Sequence, residues 1–290
     1  LKGKVPPSTF KQGTFDCTDH VLRVLDYMEI DVLIPIGGDG SLRFAAHLSA
    51  KDFPIISIPK TMDNDVNGTD YCIGFSTCVT RCVESINKIG PTAASHERIA
   101  IIELFGRHSG EPTLLAGHIA SADRVLIPEV PVDLDHFSDL IISDREKNPN
   151  NYAIAVVAEG VTVKDGENIY QGKKDHYGND KLGGIGDVIY NDLRANHHVS
   201  VLTQPLAYLL RSGEPDALDK LAATSFGTMA IQMIEQKNYG KMTAIVDGNY
   251  AVTNNNCVLS EQTTPLVSNL YDAKNYRPEI KNILGRPMYL

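Results

Sequence analysis

Short apolar runs alternate with longer amphipathic segments along most of the chain. The apolar runs are almost continuously hydrophobic, which is typical of strands buried on both faces of a sheet, and they predict strands at 31–36, 54–58, 98–104, 125–127, 152–158 and 242–246. The segments between them carry apolar residues at helical spacing and predict helices at 16–27, 41–50, 77–89, 111–120, 134–146 and 216–236. This repeated β-α order, without internal sequence repeats, predicts a doubly wound α/β fold. The polar, glycine-rich segment 163–184 is predicted to be a mobile loop.

Two loops follow the first two predicted strands. The first, Gly-Gly-Asp-Gly-Ser at 37–41, comes after the strand 31–36, and the second, at 59–65, comes after the strand 54–58. The helix predicted between them makes the two strands parallel, so both loops reach the carboxyl-terminal edge of one sheet. Ligands of open α/β sheets bind at that edge.

The residue types in these loops favour phosphoryl transfer. Gly37, Gly38 and Gly40 allow backbone amides to approach an anion at a helix N-terminus. Asp39 is an acid in this phosphate-binding context, which suits a divalent cation between carboxylate and phosphate. The second loop adds acid, amide and acid at 63–65. The alternatives are a tight turn with a capping aspartate and a surface turn held by side-chain to backbone hydrogen bonds.

Composition narrows the class of protein. The 290 residues are 42% hydrophobic and 22% charged, as in an ordinary globular protein, and their net charge of −9 argues against a nucleic-acid-binding surface. No apolar run approaches the roughly 18 residues of a membrane span, and no signal-peptide pattern opens the sequence. The five cysteines form no CxxC motif, and Cys78 and Cys82, which share a helix face, are expected to be core thiols rather than metal ligands. We therefore expect a cytoplasmic protein with neither a nucleic acid nor a membrane as partner.

Longer motifs add a family resemblance. Residues 59–75, PKTMDNDVNGTDYCIGF, resemble the signature of the phosphofructokinase family, and the loop at 37–41 resembles its metal-bearing loop. The segments 92–98, 103–110 and 125–130 are similar to three further stretches of that family. The motifs occur in the family's order and spacing between about residues 16 and 230.

The resemblance implies an architecture and an activity. It implies two doubly wound lobes with mainly parallel sheets and an active site in the cleft between them: a donor lobe at 1–74 and 208–259, and a sugar-phosphate lobe at 75–207 and 260–290. The implied activity is Mg²⁺-dependent transfer of a phosphoryl group from ATP to the 1-hydroxyl of fructose 6-phosphate. A homotetramer or homodimer is the implied assembly.

Catalytic and donor-binding residues follow from the same resemblance. Asp63 stands at the position of the family's general base, and a carboxylate suffices because positioning and charge neutralisation supply most of the catalysis. Thr61 would donate a hydrogen bond to the transferred group, and Arg107 would place a positive charge beside it; a surface ion pair is the alternative for Arg107. Asp39 would hold Mg²⁺. The expected donor-binding residues are Gly38, Gly40, Ser41 and Lys60.

The sugar-phosphate residues are also implied by motif. Arg211, in LAYLLRSG at 206–213, resembles a phosphate-binding arginine of the family, and Tyr208 replaces that motif's histidine. Arg98 matches an arginine that reaches into a neighbouring subunit's site. A second basic residue expected about six positions before Tyr208, near Leu202, is absent, which puts sugar-phosphate affinity in question. The remaining expected contacts are Asp65, Phe105, Gly106 and Glu159; for Glu159, capping of the next helix is the alternative.

The phosphoryl donor is ambiguous from the sequence. Gly40 resembles the ATP-dependent members, in which the missing side chain leaves space for the α-phosphate, whereas Lys60 resembles the pyrophosphate-dependent members. The steric argument favours ATP, with pyrophosphate as the alternative.

Other readings of the chain remain open. Members of the family begin with a strand and a glycine-rich loop for which Asp39 lies too close to Leu1, so an N-terminally incomplete form is expected. An inactive or regulatory subunit would keep the fold and lose site residues. A NAD-kinase or lipid-kinase relative would share Gly-Gly-Asp-Gly but not the segment 59–75.

Overall fold

The computed structural model of the chain describes residues 17–164, 170–174, 180–182, 184–260 and 270–279. The α-helices are α1 (Thr18–Tyr27), α2 (Asp39–Ser49), α3 (Phe75–Ser95), α4 (Glu111–Ile119), α5 (Leu134–Lys147), α6 (Ile185–Ala195) and α7 (Ala217–Glu235). Short 3-10 helices occupy Ala207–Arg211 and Asn255–Leu259. The strands are β1 (Ile36–Gly37), β2 (Ile56–Pro59), β3 (Ile99–Leu104), β4 (Arg124–Leu126), β5 (Ala153–Ala158), β6 (Tyr170–Lys174), β7 (Asp180–Leu182), β8 (Val201–Pro205), β9 (Lys241–Val246), β10 (Asn249–Asn254), β11 (Tyr271–Asp272) and β12 (Arg277–Pro278).

Two four-stranded sheets form the framework. The first has the order β1-β2-β9-β10, in which β1, β2 and β9 are parallel and β10 closes the edge as an antiparallel hairpin partner of β9. The second has the order β4-β5-β3-β8 and is parallel throughout. Two-stranded antiparallel pairs, β6 with β7 and β11 with β12, complete the described strands.

Helices cover both faces of the second sheet. On β3, Ile101 is buried in the cluster that contains Phe137 of α5 and Ile189 of α6. The next residue, Ile102, faces the opposite side and packs with Cys78 and other residues of α3. This alternation explains why the strand is hydrophobic at every position except Glu103. It confirms the doubly wound α/β fold class.

The strands of the two sheets come from different parts of the chain. The first sheet combines residues 36–59 with 241–254, and the second uses residues between 99 and 205. The lobe boundaries themselves stay a prediction, and residues 1–16, 261–269 and 280–290 of the predicted lobes lie outside the described residues. Among the described residues, no helix is long and apolar enough to span a membrane.

The structure corrects several predicted elements. Only Ile36 of the strand predicted at 31–36 belongs to β1, with one further bridge from Leu33 to Ile55; Pro35 lacks an N–H and interrupts the ladder. The segment 163–184, predicted as a mobile loop, contains β6 and β7, while its residues 165–169, 175–179 and 183 lie outside the described part. Helix α6 and strands β8 and β10 were not predicted.

Asp219 fastens α7 to the start of α3. Its carboxylate is fully buried and accepts hydrogen bonds from the Tyr71 hydroxyl (2.6 Å), the Gly74 amide (2.7 Å) and the Thr77 amide (2.9 Å), as well as from the Thr77 hydroxyl. Asp216 strengthens the same junction, since it accepts from the Ser76 hydroxyl at 2.6 Å. The start of α3 is therefore held by two carboxylates from the N-terminus of α7.

Replacing Asp219 with alanine is expected to lower the free energy of unfolding by about 3 kcal/mol or more. The change leaves several buried donors without an acceptor, and each such group costs roughly 1–3 kcal/mol. Urea unfolding followed by circular dichroism measures the loss. Tyr71→Phe, which removes one of the donors and keeps the carboxylate, is the control and should cost about 1 kcal/mol. A loss from Asp219→Ala no larger than that of the control would contradict this account.

Candidate active site

A cavity of ≈ 850 Å³ lies between the carboxyl-terminal edges of the two sheets. The loops after β1, β2 and β3 open into it, as does the segment that follows the 3-10 helix Ala207–Arg211. Most of the residues predicted from the sequence line this cavity: Gly38, Asp39, Gly40, Ser41, Lys60, Thr61, Asp63, Asp65, Phe105, Arg107 and Arg211. Four predicted residues do not line it: Arg98, Gly106, Glu159 and Tyr208.

The glycine-rich loop delivers the N-terminus of α2 to the cavity. Gly38 caps α2 in extended conformation, and Asp39 is the first helical residue. A β-carbon at Gly37 would lie 2.6 Å from that of Ser41, so the turn requires glycine there. A β-carbon at Gly40 would meet nothing within 4 Å. The first-turn amides are thus available to an anion, and position 40 faces open space.

Asp39 is paired within its own helix. Both of its carboxylate oxygens accept from Nε of Arg43, one turn later, at 2.8 Å. The two side chains are about one third exposed, so this ion pair contributes at most about 1 kcal/mol. The pair is weak enough to rearrange when a stronger partner arrives.

The loop after β2 carries the acids. The Thr61 hydroxyl accepts from the Asp63 amide at 3.2 Å and fixes the turn. Within the part of the chain that the structure describes, Oδ1 of Asp63 is buried without a hydrogen-bond partner. Burial raises the pKa of Asp63, and the positive charges of Arg107, Arg211 and Lys60 oppose that rise.

Asp65 lies in a region of excess negative charge. Burial raises its pKa to about 6, and repulsion from Asp63 and Asp39 adds to the rise. The three carboxylates thus influence one another across the cavity although they come from two different loops. A cation placed among them would relieve the repulsion.

Asn64, which received no role from the sequence, holds this loop together. It adopts a left-handed conformation with φ of 53°, which asparagine tolerates better than most residues. Its Nδ2 donates to the Asp70 carbonyl at 3.0 Å and to Oε1 of Glu111 at 3.1 Å, and its Oδ1 accepts from the Cys72 amide at 2.8 Å. The middle residue of the Asp-Asn-Asp sequence is structural, while its two neighbours line the cavity.

Arg107 lies on the loop that follows β3. Glu159, at the end of the neighbouring strand β5, is buried and accepts from the amides of Arg107 (3.0 Å) and Gly106 (3.4 Å). Burial raises the pKa of Glu159, and the two amide bonds oppose the rise. A β-carbon at Gly160 would overlap the Arg107 carbonyl oxygen. Glu159 and Gly106 therefore hold the Arg107 loop from behind, and their expected contacts with sugar stay predictions.

Arg211 packs against two neighbouring aromatic rings. Its guanidinium carbon lies 4.5 Å from the centroid of the Phe105 ring and 5.0 Å from that of Tyr208, and the two rings are 5.4 Å apart. Such cation–π stacking restricts the side chain while leaving its N–H donors available. Tyr208 thus reaches the site through Arg211 rather than as part of the cavity wall.

Arg98 lies far from this cavity within its own chain. It directly precedes β3, whose other end leads into Phe105. Six residues of strand span about 20 Å, so Arg98 is at the opposite edge of the sheet. Its predicted contact with sugar phosphate therefore requires a second copy of the chain.

Comparison with known proteins identifies the family of the chain. The family model described as Phosphofructokinase matches residues 6–234. The chain belongs to the phosphofructokinase family. It is 35% identical over 243 residues to ATP-dependent 6-phosphofructokinase 3 of Streptomyces coelicolor, covering 83% of this chain and 70% of that protein. It is also 35% identical over 243 residues to the ATP-dependent 6-phosphofructokinase of Mycobacterium tuberculosis, of which it covers 69%.

Solved phosphofructokinase structures share the fold. The pyrophosphate-dependent phosphofructokinase of Nitrosospira multiformis superposes with a TM-score of 0.77 at 20% identity, over 94% of this chain and 75% of that one. Phosphofructokinase of Pichia pastoris gives a TM-score of 0.70 at 27% identity, over 83% of this chain and 28% of that one. The first likeness lies below the identity at which function can be compared, so it supports the phosphofructokinase fold and not a choice of donor.

Proposed function

We propose that this chain is a 6-phosphofructokinase that transfers a phosphoryl group from ATP to the 1-hydroxyl of fructose 6-phosphate. The observation that carries the proposal is the buried Oδ1 of Asp63, which has no hydrogen-bond partner among the described residues. It lies in a cavity that also contains the N-terminus of α2 and two arginines. An acceptor for a hydroxyl proton thus lies beside groups that bind and neutralise phosphate. The relatives named ATP-dependent 6-phosphofructokinases support the same reading.

Asp63 acts as the general base in this proposal. Its raised pKa makes the carboxylate a better proton acceptor than an ordinary aspartate. The positive charges of Arg107 and Arg211 oppose the rise by favouring the carboxylate, which is the form that accepts the proton of the sugar hydroxyl. Thr61, whose hydroxyl oxygen accepts from the Asp63 amide, lines the same cavity and has an O–H that can donate to the transferred phosphoryl group.

The donor binds at the glycine-rich loop. Amides of the first turn of α2 receive its phosphates, and Ser41 adds a hydroxyl. Open space at Gly40 leaves room for a third phosphate, which favours ATP. Lys60 lines the same cavity, and its ammonium suits the terminal oxygens of a short diphosphate; it is the observation that favours pyrophosphate as a second candidate.

Magnesium fits the residues present. The raised pKa of Asp65 records a surplus of negative charge that a divalent cation would offset, and Asp39 is the partly exposed carboxylate nearest to the donor loop. Among the described residues, no group of three or more metal-ligating side chains occurs. Magnesium commonly takes one or two carboxylates and completes its shell with water and substrate phosphates, so Asp39 alone suffices as the protein's ligand. When bound, the ion neutralises charge on the donor phosphates.

The sugar phosphate binds on the opposite side of the cavity. Arg211, restrained by Phe105 and Tyr208, presents a planar set of donors that matches a phosphate monoester. Asp65 accepts from a sugar hydroxyl near the reacting carbon. Because the rings restrict Arg211 before the substrate arrives, less conformational entropy is lost on binding.

A coupled assay tests the proposal. Purified protein is supplied with fructose 6-phosphate and Mg²⁺ and either ATP or pyrophosphate, and fructose 1,6-bisphosphate is measured through an aldolase-linked reaction. Faster turnover with ATP is expected. Preference for pyrophosphate would favour the second candidate, and binding of fructose 6-phosphate without turnover by either donor would favour an inactive or regulatory subunit.

Arg98 leads to a prediction about assembly. We propose a homotetramer or homodimer in which Arg98 of one copy completes the sugar-phosphate site of another. Arg98→Ala and Asp63→Asn subunits, each inactive alone, should regain activity when mixed, because one site of each mixed pair then has both residues. Turnover is measured after subunit exchange has been verified by native mass spectrometry. Mixed oligomers without regained activity would contradict shared sites.

A further inference from the structure

Glu111 occupies an unusual place for an acidic residue. It is the first residue of α4 and is 9% exposed, and its Oε1 accepts the hydrogen bond from Asn64 Nδ2. Burial raises its pKa to about 8; Glu129 and Asp70 also raise it, and the bond from Asn64 opposes the rise. At neutral pH the side chain is therefore mostly a neutral acid, which can remain buried at little electrostatic cost.

Asn64, the hydrogen-bond partner of Glu111, holds the loop after β2 in place. Asn64 lies between Asp63 and Asp65, and its side chain bonds the loop to the Asp70 carbonyl and the Cys72 amide. Both hydrogens of Nδ2 are used, one for Asp70 and one for Glu111. Without Glu111, one buried N–H of Asn64 would lack an acceptor, and the amide group would be free to rotate away from its other two partners.

At the other end of this hydrogen bond, Glu111 lies next to the loop that carries Arg107. Helix α4 begins directly after the loop that carries Arg107, and the Gly110 amide at this junction donates to Oε1 of Glu129 at 2.8 Å. The contact between Asn64 and Glu111 thus joins the loop after β2, in the first sheet, to the loop after β3, in the second. The two residues are 47 positions apart in the chain.

We infer that Glu111 is a positioning residue, which through Asn64 fixes the Asp63 carboxylate relative to Arg107. Asp63 and Arg107 act on the same transferring group, so their separation determines the rate of the chemical step. Glu111 itself does not line the cavity, so it would act through Asn64 rather than on the substrates directly. Its loss is therefore expected to lower kcat and to change substrate binding little.

Glu111→Leu and Glu111→Gln form the matched pair for the test. Glutamine keeps an acceptor oxygen at the same reach, whereas leucine keeps apolar volume and a helix-compatible side chain without an acceptor. In the assay with fructose 6-phosphate and ATP, Glu111→Leu is expected to lower kcat by about 10- to 100-fold, since small misplacements of reacting groups cost that much. Both KM values should stay within about threefold of wild type, and Glu111→Gln should retain most of the kcat. If Glu111→Leu does not fold, Glu111→Met replaces it.

The kinetic test rests on the proposed function. A second measurement, of hydrogen exchange, does not depend on it. The Cys72 amide is bonded to Asn64 Oδ1, so hydrogen-exchange mass spectrometry of a peptide covering 64–74 reports the order of the loop. Exchange there should be roughly tenfold faster in Glu111→Leu than in wild type or Glu111→Gln, with a peptide from β9 and β10 unchanged.

The two measurements separate the possible failures. Unchanged exchange in Glu111→Leu overturns the inference, as does an unchanged kcat, an equal loss of kcat in both variants, or a KM effect without a kcat effect. A wild-type protein that is inactive with both donors would contradict the proposed function instead, and the exchange comparison would then decide the role of Glu111 alone.

Discussion

Replacing Asp63 with asparagine is expected to lower kcat by about 10²–10⁴-fold, while fructose 6-phosphate still binds. The asparagine amide keeps the size of the carboxylate but cannot accept the proton of the sugar hydroxyl. In addition, the buried Oδ1 has no other partner in the described part of the chain, so no neighbouring acid replaces it through an existing hydrogen bond. Turnover is measured by the coupled assay, and sugar-phosphate binding by calorimetry without the donor.

Asp70→Asn is the control for this variant. Asp70 belongs to the same segment, but its carboxylate accepts from the Asp247 amide and does not line the cavity, so its neutralisation should leave kcat near wild type. The raised pKa of Asp63 adds a pH criterion. Wild-type kcat/KM should fall as the pH drops towards that pKa, which lies above the ordinary aspartate value of 3.8, because protonation removes the base. Activity of Asp63→Asn within about tenfold of wild type would reject Asp63 as the base.

Replacing Gly40 with aspartate is expected to lower kcat/KM for ATP by about 10²–10³-fold relative to kcat/KM for pyrophosphate. Two like charges about 4 Å apart repel by roughly 4 kcal/mol at the effective dielectric of a partly buried site, and each 1.4 kcal/mol is a factor of ten. A β-carbon at position 40 has open space around it, so the variant should fold. Pyrophosphate has no third phosphate at that position and should lose less.

Two control variants test other causes of a changed donor ratio: the added volume at position 40 and the changed net charge of the protein. Gly40→Ala adds volume without charge and should leave the ratio of the two donors nearly unchanged. Gly227→Asp adds the same charge at a glycine of α7 that also has open space and does not line the cavity. Lys60→Gly should reduce turnover with pyrophosphate more than turnover with ATP, which is the reverse of the effect expected for Gly40→Asp. A donor ratio unchanged by Gly40→Asp would mean that position 40 does not face the donor.

Local sequence patterns were sufficient to predict the loops that line the cavity. Glycine at 37 and acids at 39, 63 and 65 are required by turn geometry and chemistry within a few residues, and the strands before them are hydrophobic at nearly every position. Motif order also indicated Arg107 and Arg211, which belong to the other two segments of the cavity wall.

Contacts between distant segments could not be predicted in this way. Nothing near Glu111 in the sequence indicates that Asn64 lies beside it, and nothing near Asp219 indicates that it binds the start of α3. Likewise, the stacking of Arg211 on Phe105 depends on the packing of a 3-10 helix beside the end of β3. The strand predicted at 31–36 was wrong for a local reason. The prediction relied on the hydrophobicity of the segment and did not account for Pro35, which has no N–H to donate to the ladder.

The hydrogen bonds at the start of α3 have a mechanical consequence. In the predicted lobes, the chain leaves the first lobe after Gly74 and returns at Tyr208. Asp216 and Asp219, at the start of α7 soon after that return, accept hydrogen bonds from the start of α3 and so hold the two connections side by side. Arg81, on α3, also donates to the Glu214 carbonyl at 2.7 Å. With two of the three crossings between the predicted lobes fastened at one place, we expect the sheets to turn about that place as a pivot rather than slide past each other. Opening of the cleft would then change the angle between its walls while each wall keeps its own set of loops intact.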